Sequence, residues 1–224
     1  MWKKRRAFVK RSGSRWQRLA NFPAAFAAVA AMVLSTRPAG AGEDLLARMA
    51  AINPNLRTFT ATLHADVAMK SFPFLSVQLT GTYYHKEPDK NKVVFETVPV
   101  LAQQFDKLYA HIESPSQWKS VYDVRVVSDD GTTTTFKLTP LNAGNVESVD
   151  ARADDKTATV TSMRWNYANS GYAEMDDRYG QIGGNTLVTS QTGHVREPGY
   201  VADISSTIDN YKINPPLSDS VFAE

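Results

Sequence analysis

Between residues 58 and 70 the chain alternates with a period of two. Phe59, Ala61, Leu63, Ala65, Val67 and Met69 stand on one side, and Thr58, Thr60, Thr62, His64, Asp66 and Lys70 on the other. Successive side chains of a strand point to opposite faces, so this pattern predicts a long β-strand with one dry face and one wet face. Leu75, Val77, Leu79, Gly81 and Tyr83 repeat it against Ser76, Gln78, Thr80 and Thr82 after a turn near Phe72-Pro73. Two such runs in sequence predict an antiparallel hairpin.

Further strands are expected at residues 92–96, 122–127, 132–138, 146–153, 157–167, 172–182, 186–195 and 201–213. They are separated by the turn-forming groups Asp129-Asp130-Gly131, Asn169-Ser170-Gly171 and Gly183-Gly184-Asn185. Only two helices are expected. In residues 43–52, Leu45, Met49 and Ile52 recur at helical spacing, and in 101–109 Leu101, Phe105 and Leu108 do the same. Evenly spaced strands without strand-helix units predict a mainly β domain, a strongly curved antiparallel sheet forming an unclosed barrel with a few short helices.

Residues 1–41 do not belong to that pattern. Lys3, Lys4, Arg5, Arg6, Lys10, Arg11, Arg15 and Arg18 precede an apolar run from Ala24 to Leu34 and then Ala39-Gly40-Ala41. A basic segment, a short apolar segment and small residues before a cut are the marks of an export signal, here ending near Ala41. The apolar run is shorter than the roughly 20 residues of a membrane-spanning helix. Arg5-Arg6-Ala7-Phe8-Val9 resembles a twin-arginine signal; general secretion with an extended basic segment, or a later start codon, stays open beside it. The expected organisation is a signal at 1–41, a soluble domain at 42–224 and a periplasmic location.

Charge then changes sign. The first 41 residues hold nine of the 25 bases and none of the 23 acids, which leaves 16 bases against 23 acids and a net charge of −7 for the domain. An acidic domain is repelled by nucleic acid and by anionic headgroups. There is no cysteine, which rules out disulfides, a thiolate nucleophile or a lipid-modified cysteine within this sequence.

Catalytic and metal signatures are sparse. His64, His85, His111 and His194 are scattered, with no HExxH pair. His64 and Asp66 share the wet face of the first strand, where a solvated pair outweighs an acid-base pair. Glu174, Asp176 and Asp177 form a dense acidic run on a strand, where surface charge outweighs a calcium site. Gly180, Gly183 and Gly184 lack phosphate-loop spacing and read as turn residues. No catalytic residue, metal or cofactor is expected.

What remains is one-sided apolar strand surface: Phe59, Leu63, Val67, Leu75, Val77, Leu79, Tyr83, Phe95, Met163 and Trp165, with Phe105 from the second helix. A curled sheet can fill its dry face with its own side chains or enclose a ligand cavity, and periodicity alone leaves both open.

The order of features resembles the LolA-like family of outer-membrane lipoprotein carriers. The shared features are a helix after a signal, two long strands, Gly81-Thr82-Tyr83-Tyr84 leading to Pro88, Asn169-Ser170-Gly171, and a final Asn214 followed by Val221-Phe222. The resemblance implies an unclosed barrel under a helical lid. It further implies a monomeric, non-enzymatic carrier that holds acyl chains of lipoproteins or other lipids in a hydrophobic cavity, ferries them toward the outer membrane and meets envelope membrane proteins. The residues of the dry face named above would line the cavity, against the helices near 45–52 and 101–109. The chain departs from the family in carrying Glu87 where an Arg precedes the proline, and in a shortened segment at 101–118. A carboxylate cannot donate as a guanidinium does, so the lid latch must differ, and fatty acid or phospholipid becomes an alternative cargo. A packed sensory or structural module of the same fold is the competing expectation.

Overall fold

The computed structural model describes residues 40–71, 75–96 and 114–223. The expected export signal, the helix at 101–109 with Phe105, and the turn at Phe72-Pro73 lie outside the described residues.

Helix α1 (Gly40–Ala50) leads into β1 (Thr58–Met69), β2 (Ser76–Lys86) and β3 (Lys90–Phe95). After the short α2 (Trp118–Val121) come β4 (Tyr122–Asp129), β5 (Thr133–Pro140), β6 (Val146–Asp154), β7 (Thr159–Tyr167), β8 (Tyr172–Ile182), β9 (Asn185–Glu197) and β10 (Tyr200–Ile213), and a 3-10 turn at Asp219–Phe222. All ten strands join one antiparallel sheet in the order β3-β2-β1-β10-β9-β8-β7-β6-β5-β4, which is not closed into a barrel. The turns follow the chemistry of their residues. Gly131, Gly183 and Gly184 have φ of 86°, 57° and 79°, the left-handed region that tight hairpins demand.

The sheet is two ladders joined at one seam. Strands adjacent in the sheet are consecutive in sequence everywhere except where β1 meets β10, with Leu63 opposite Ile208 and Val67 opposite Ile204. Asn214 fastens that seam from its end. Its Oδ1 accepts from the backbone N–H groups of Arg57 (2.7 Å) and Thr58 (3.2 Å), and its Nδ2 donates to the Asn55 carbonyl (3.0 Å). Its own N–H donates to the Thr58 carbonyl at 2.8 Å, and the Thr58 hydroxyl donates to the Pro215 carbonyl at 2.6 Å.

Curvature follows from which strands meet. Tyr83 on β2 and Val160 on β7 line one cavity although five strand spacings separate them, roughly 24 Å along a flat sheet at ~4.8 Å each. The sheet therefore curls, with its dry face inward. Inside, Leu45, Leu46 and Met49 of α1 pack with Trp118, Phe136, Leu138 and Val149. Val67, Val77, Leu79 and Ile204 make a second cluster, and Phe59, Leu63, Met175, Leu187 and Ile208 a third; Trp165 touches all three.

If the clasp at Asn214 stabilises the seam, Asn214→Ala should lower unfolding free energy by about 2 kcal/mol, since it deletes three hydrogen bonds and leaves a β-carbon at a φ of 53°. Asn214→Gly relieves the backbone but not the lost bonds and should cost less. Urea denaturation of both variants checks the order.

Candidate functional site

Beneath α1 lies a cavity of about 230 Å³. Its apolar wall comes from Met49 and Ile52 at the end of α1, Leu56 and Phe59 entering β1, Val160 on β7, and Leu187 and Val188 on β9. Phe59 and Leu187 come from the dry sides of their strands, so the alternation that builds the sheet also makes part of this wall greasy. The lid helix is pinned at both ends. Asn53 exchanges two hydrogen bonds with the backbone of Thr186, donating to its carbonyl (2.9 Å) and accepting from its N–H (2.8 Å). At the other end, Lys119 pairs with Glu43, and Gly42 lies so close to Val126 that any β-carbon there would clash.

The rim is polar and is supplied by the β2–β3 hairpin. His85 is buried, stacked on Phe59 with ring centroids 4.8 Å apart. Its Nδ1 lies 2.8 Å from Asn91 Oδ1 and its Nε2 3.3 Å from Glu87 Oε1; the Tyr83 hydroxyl donates to Asn91 at 3.2 Å. Ser114 and Ser116 complete this side. Opposite, the Tyr179 and Tyr211 hydroxyls donate to the carbonyls of Val160 and Val188, and burial pushes both phenols up from their ordinary pKa.

Of the residues expected to line a cavity, Phe59 and Tyr83 do so. Leu63, Val67, Val77, Leu79 and Met163 are buried in the packed clusters, and Leu75, Phe95 and Trp165 are half-buried against them. Trp165 also lines a separate, more open hollow with Tyr122, Pro140 and Val146. The helix at 45–52, expected to face the cavity, reaches it through Met49, whereas sequence reasoning missed Leu56, Val160, Leu187, Val188 and Tyr211 as wall residues. Leu187 carries the dry-face signal, but nothing in a period of two separates a side chain facing another side chain from one facing space.

The polar candidates part company. His64 and Asp66 are both exposed, and His64 Nδ1 lies 3.2 Å from the Thr80 hydroxyl instead of pairing with Asp66. Glu174 accepts from Arg164 at 3.1 Å on the outer face, and Asp176 is exposed. Asp177 points the other way. It shares the inward face of β8 with Met175 and accepts from Gln191 Nε2 at 2.8 Å; Gln191 in turn lies 3.4 Å from the buried Ser206 hydroxyl. Burial, with the Asp176 charge adding to it and the Gln191 bond opposing, raises the Asp177 carboxyl to about 6. Among the described residues no group of three His, Asp or Glu is arranged to hold a metal ion, and no helix is long and apolar enough to cross a membrane.

Solved structures share this arrangement. A DUF1329 family protein from Desulfovibrio piger superposes with a TM-score of 0.63 at 14% identity, over 84% of this chain and 98% of that one. A LolA superfamily protein from Nitrosomonas europaea gives 0.61 at 9% identity, over 81% and 97%. The fold is LolA-like. A Vibrio parahaemolyticus domain named for outer membrane lipoprotein sorting gives 0.59 at 8% identity over the same shares, so the LolA-like fold accounts for nearly the whole length of each. No protein-family model and no curated protein sequence matches the chain. In this LolA-like fold, the end of α1 borders the cavity and Glu87 stands at its rim.

Asp177 gives the site a pH signature. Between the ordinary aspartate pKa of about 3.9 and about 6, the native carboxyl keeps a proton that the unfolded chain has released, so its contribution to stability falls as pH rises through that window. Asp177→Asn keeps an acceptor for Gln191 and removes the titration. The variant should exceed the parent by on the order of 2–3 kcal/mol above about pH 7, with the difference vanishing below about pH 4. Urea denaturation across pH checks it; parallel profiles would contradict the assignment.

Proposed function

We propose that this protein is a periplasmic, monomeric, non-enzymatic carrier. It holds a hydrophobic acyl chain of a lipoprotein or other lipid under α1 and delivers it toward the outer membrane, meeting membrane proteins of the envelope on the way. The observation that carries this reading is the cavity itself, walled by Met49, Leu56, Phe59, Leu187 and Val188, with the polar rim of His85, Glu87 and Asn91 on its β2–β3 side and the Tyr179 and Tyr211 hydroxyls opposite spent on backbone carbonyls. Apolar wall and one-sided polar rim are what an amphiphile requires, with its chain inside and its head outside. Support comes also from the LolA-like fold, from neighbours one of which is named for outer membrane lipoprotein sorting, and from the export signal read in residues 1–41 with 42–224 as the carrier domain.

The dimensions suit a reversible hold. At ~30 Å³ per group, the share of one water in the liquid, the cavity takes about eight methylene-sized groups. Burying these is worth about 6 kcal/mol at ~0.8 kcal/mol each, before the cost of association. A ligand held that way leaves again, as carriage requires.

A packed module of the same fold is the second reading, favoured by the burial of Leu63, Val77 and Leu79 against other side chains. Binding of an uncharged naphthyl dye to delipidated protein separates the two. The carrier reading expects saturable fluorescence enhancement, and Ala50→Trp, an exposed lid position facing the cavity, should weaken it at least about tenfold without lowering the melting temperature. No binding by the parent, together with lipid-free protein recovered from the host, would leave the packed module.

A further inference from the structure

The titratable groups around the cavity are of one kind. Among the described lining residues they are Glu87, His85 and the tyrosines Tyr83, Tyr179 and Tyr211, with no Lys or Arg. With the His85 imidazole neutral, the one full charge among the described lining residues is that of Glu87, and it is negative.

The nearby bases are committed elsewhere. Lys86, next to His85 in β2, points to the opposite face, where its Nζ reaches Asp219 (2.8 Å) and the Leu217 carbonyl (3.1 Å). Lys90 joins the same carboxylate at 3.0 Å, and Lys92 donates to the Ala223 carbonyl at 2.6 Å. The three lysines strap the C-terminal segment across the β2–β3 hairpin. Arg57 spends its guanidinium on the carbonyls of Pro54 and Leu56. None of them is placed to neutralise Glu87.

Glu87 itself is held but not saturated. Its side chain is about one-third exposed, and among the described residues its contact is the long one from His85 to Oε1. A carboxylate offers about four acceptor sites, so most of its capacity faces the cavity mouth. Behind the tyrosines Asp177 adds a second acidic group on the inward face, close enough to act on the Tyr179 and Tyr211 hydroxyls. Among the described residues, a carboxylate or phosphate head brought to this rim meets like charge and no lysine or arginine; an ammonium head meets an open acceptor.

Resting on the carrier reading above, we propose that the cavity selects single-chain amphiphiles with a cationic amine head. Glu87 accepts the ammonium hydrogens, His85, held in turn by Asn91, stands beside the carboxylate, and the chain runs between Phe59 and Leu187 under α1. Free fatty acid is excluded by the same charge. The volume, sufficient for about eight heavy atoms at ~30 Å³ each, admits one chain and not several.

The test displaces the neutral naphthyl dye from the full-length domain at about pH 8 with decylamine, decanol and decanoate, each below its micelle concentration. An alkylamine stays protonated there, with a pKa near that of lysine at about 10.4. Decylamine is expected to bind about tenfold or more tightly than decanoate, with decanol between them. Glu87→Gln should bring the two charged ligands to within about threefold, and Glu87→Lys should reverse their order, each affinity being read relative to decanol in the same variant. Equal affinities in the parent, or a preference unaltered by Glu87→Lys, would overturn the head-group assignment while leaving the carrier reading intact. Failure of the dye and decanol to bind at all would overturn the carrier reading, and this assignment with it.

Discussion

Everything in this structure hangs on the pairing of the first strand with the last. β1 and β10 are the two halves of a seam that joins a three-stranded ladder to a seven-stranded one, and no local turn enforces it. The contact is bought with the loop entropy of most of the chain. It is then secured by pairing along β1 with one register shift between Thr60 and Thr62, by the inward meeting of Leu63 with Ile208 and Val67 with Ile204, and by the Asn214 side chain acting as a mortise between strand start and strand end. With the seam in place, the twist of ten strands carries β2 and β3 round to face β7 and β8. The cavity is the space left between them, and α1, tied through Asn53 to the start of β9, roofs it.

The position of the polar rim follows from the same geometry. His85 and Tyr83 sit at the end of β2, where the hairpin to β3 runs beyond the packed clusters, so their polar atoms reach the cavity mouth while Phe59 supports them from below. Further along the same inward face Leu79 opposes Ala65, which opposes Ser206, Gln191 and Asp177 in turn. A row that starts apolar on β2 thus ends in a carboxylate on β8. The interior is graded from dry to polar, and the inward Asp177 carboxyl is raised to about 6 by the cost of charging it there.

Much of this was legible in the residues. Alternation located each described strand to within a few positions, and Asp130-Gly131 and Gly183-Gly184 marked their hairpins because few other residues accept positive φ. The β1–β10 seam was not legible, because antiparallel partners far apart in sequence leave no local trace. Nor was α2, a single turn too short to show a period. The wall of the cavity was read only in part: Leu63 and Phe59 carry the same pattern on the same strand, yet one is sealed in a cluster and the other faces space. Asp177 was the avoidable miss. It stands two residues from Met175, on the parity of the dry face, and its place in an acidic run concealed that.

The central claim, that a chain enters under α1 and lies on the wall formed by β1 and β9, is tested most directly by nuclear Overhauser contacts between a bound alkyl chain and the protein's labelled methyl groups. The account predicts contacts from the chain to Met49, Ile52, Leu56, Leu187 and Val188, and none to Val67, Val77 or Leu79. Contacts confined to that second cluster or to the outer face of the sheet would contradict it.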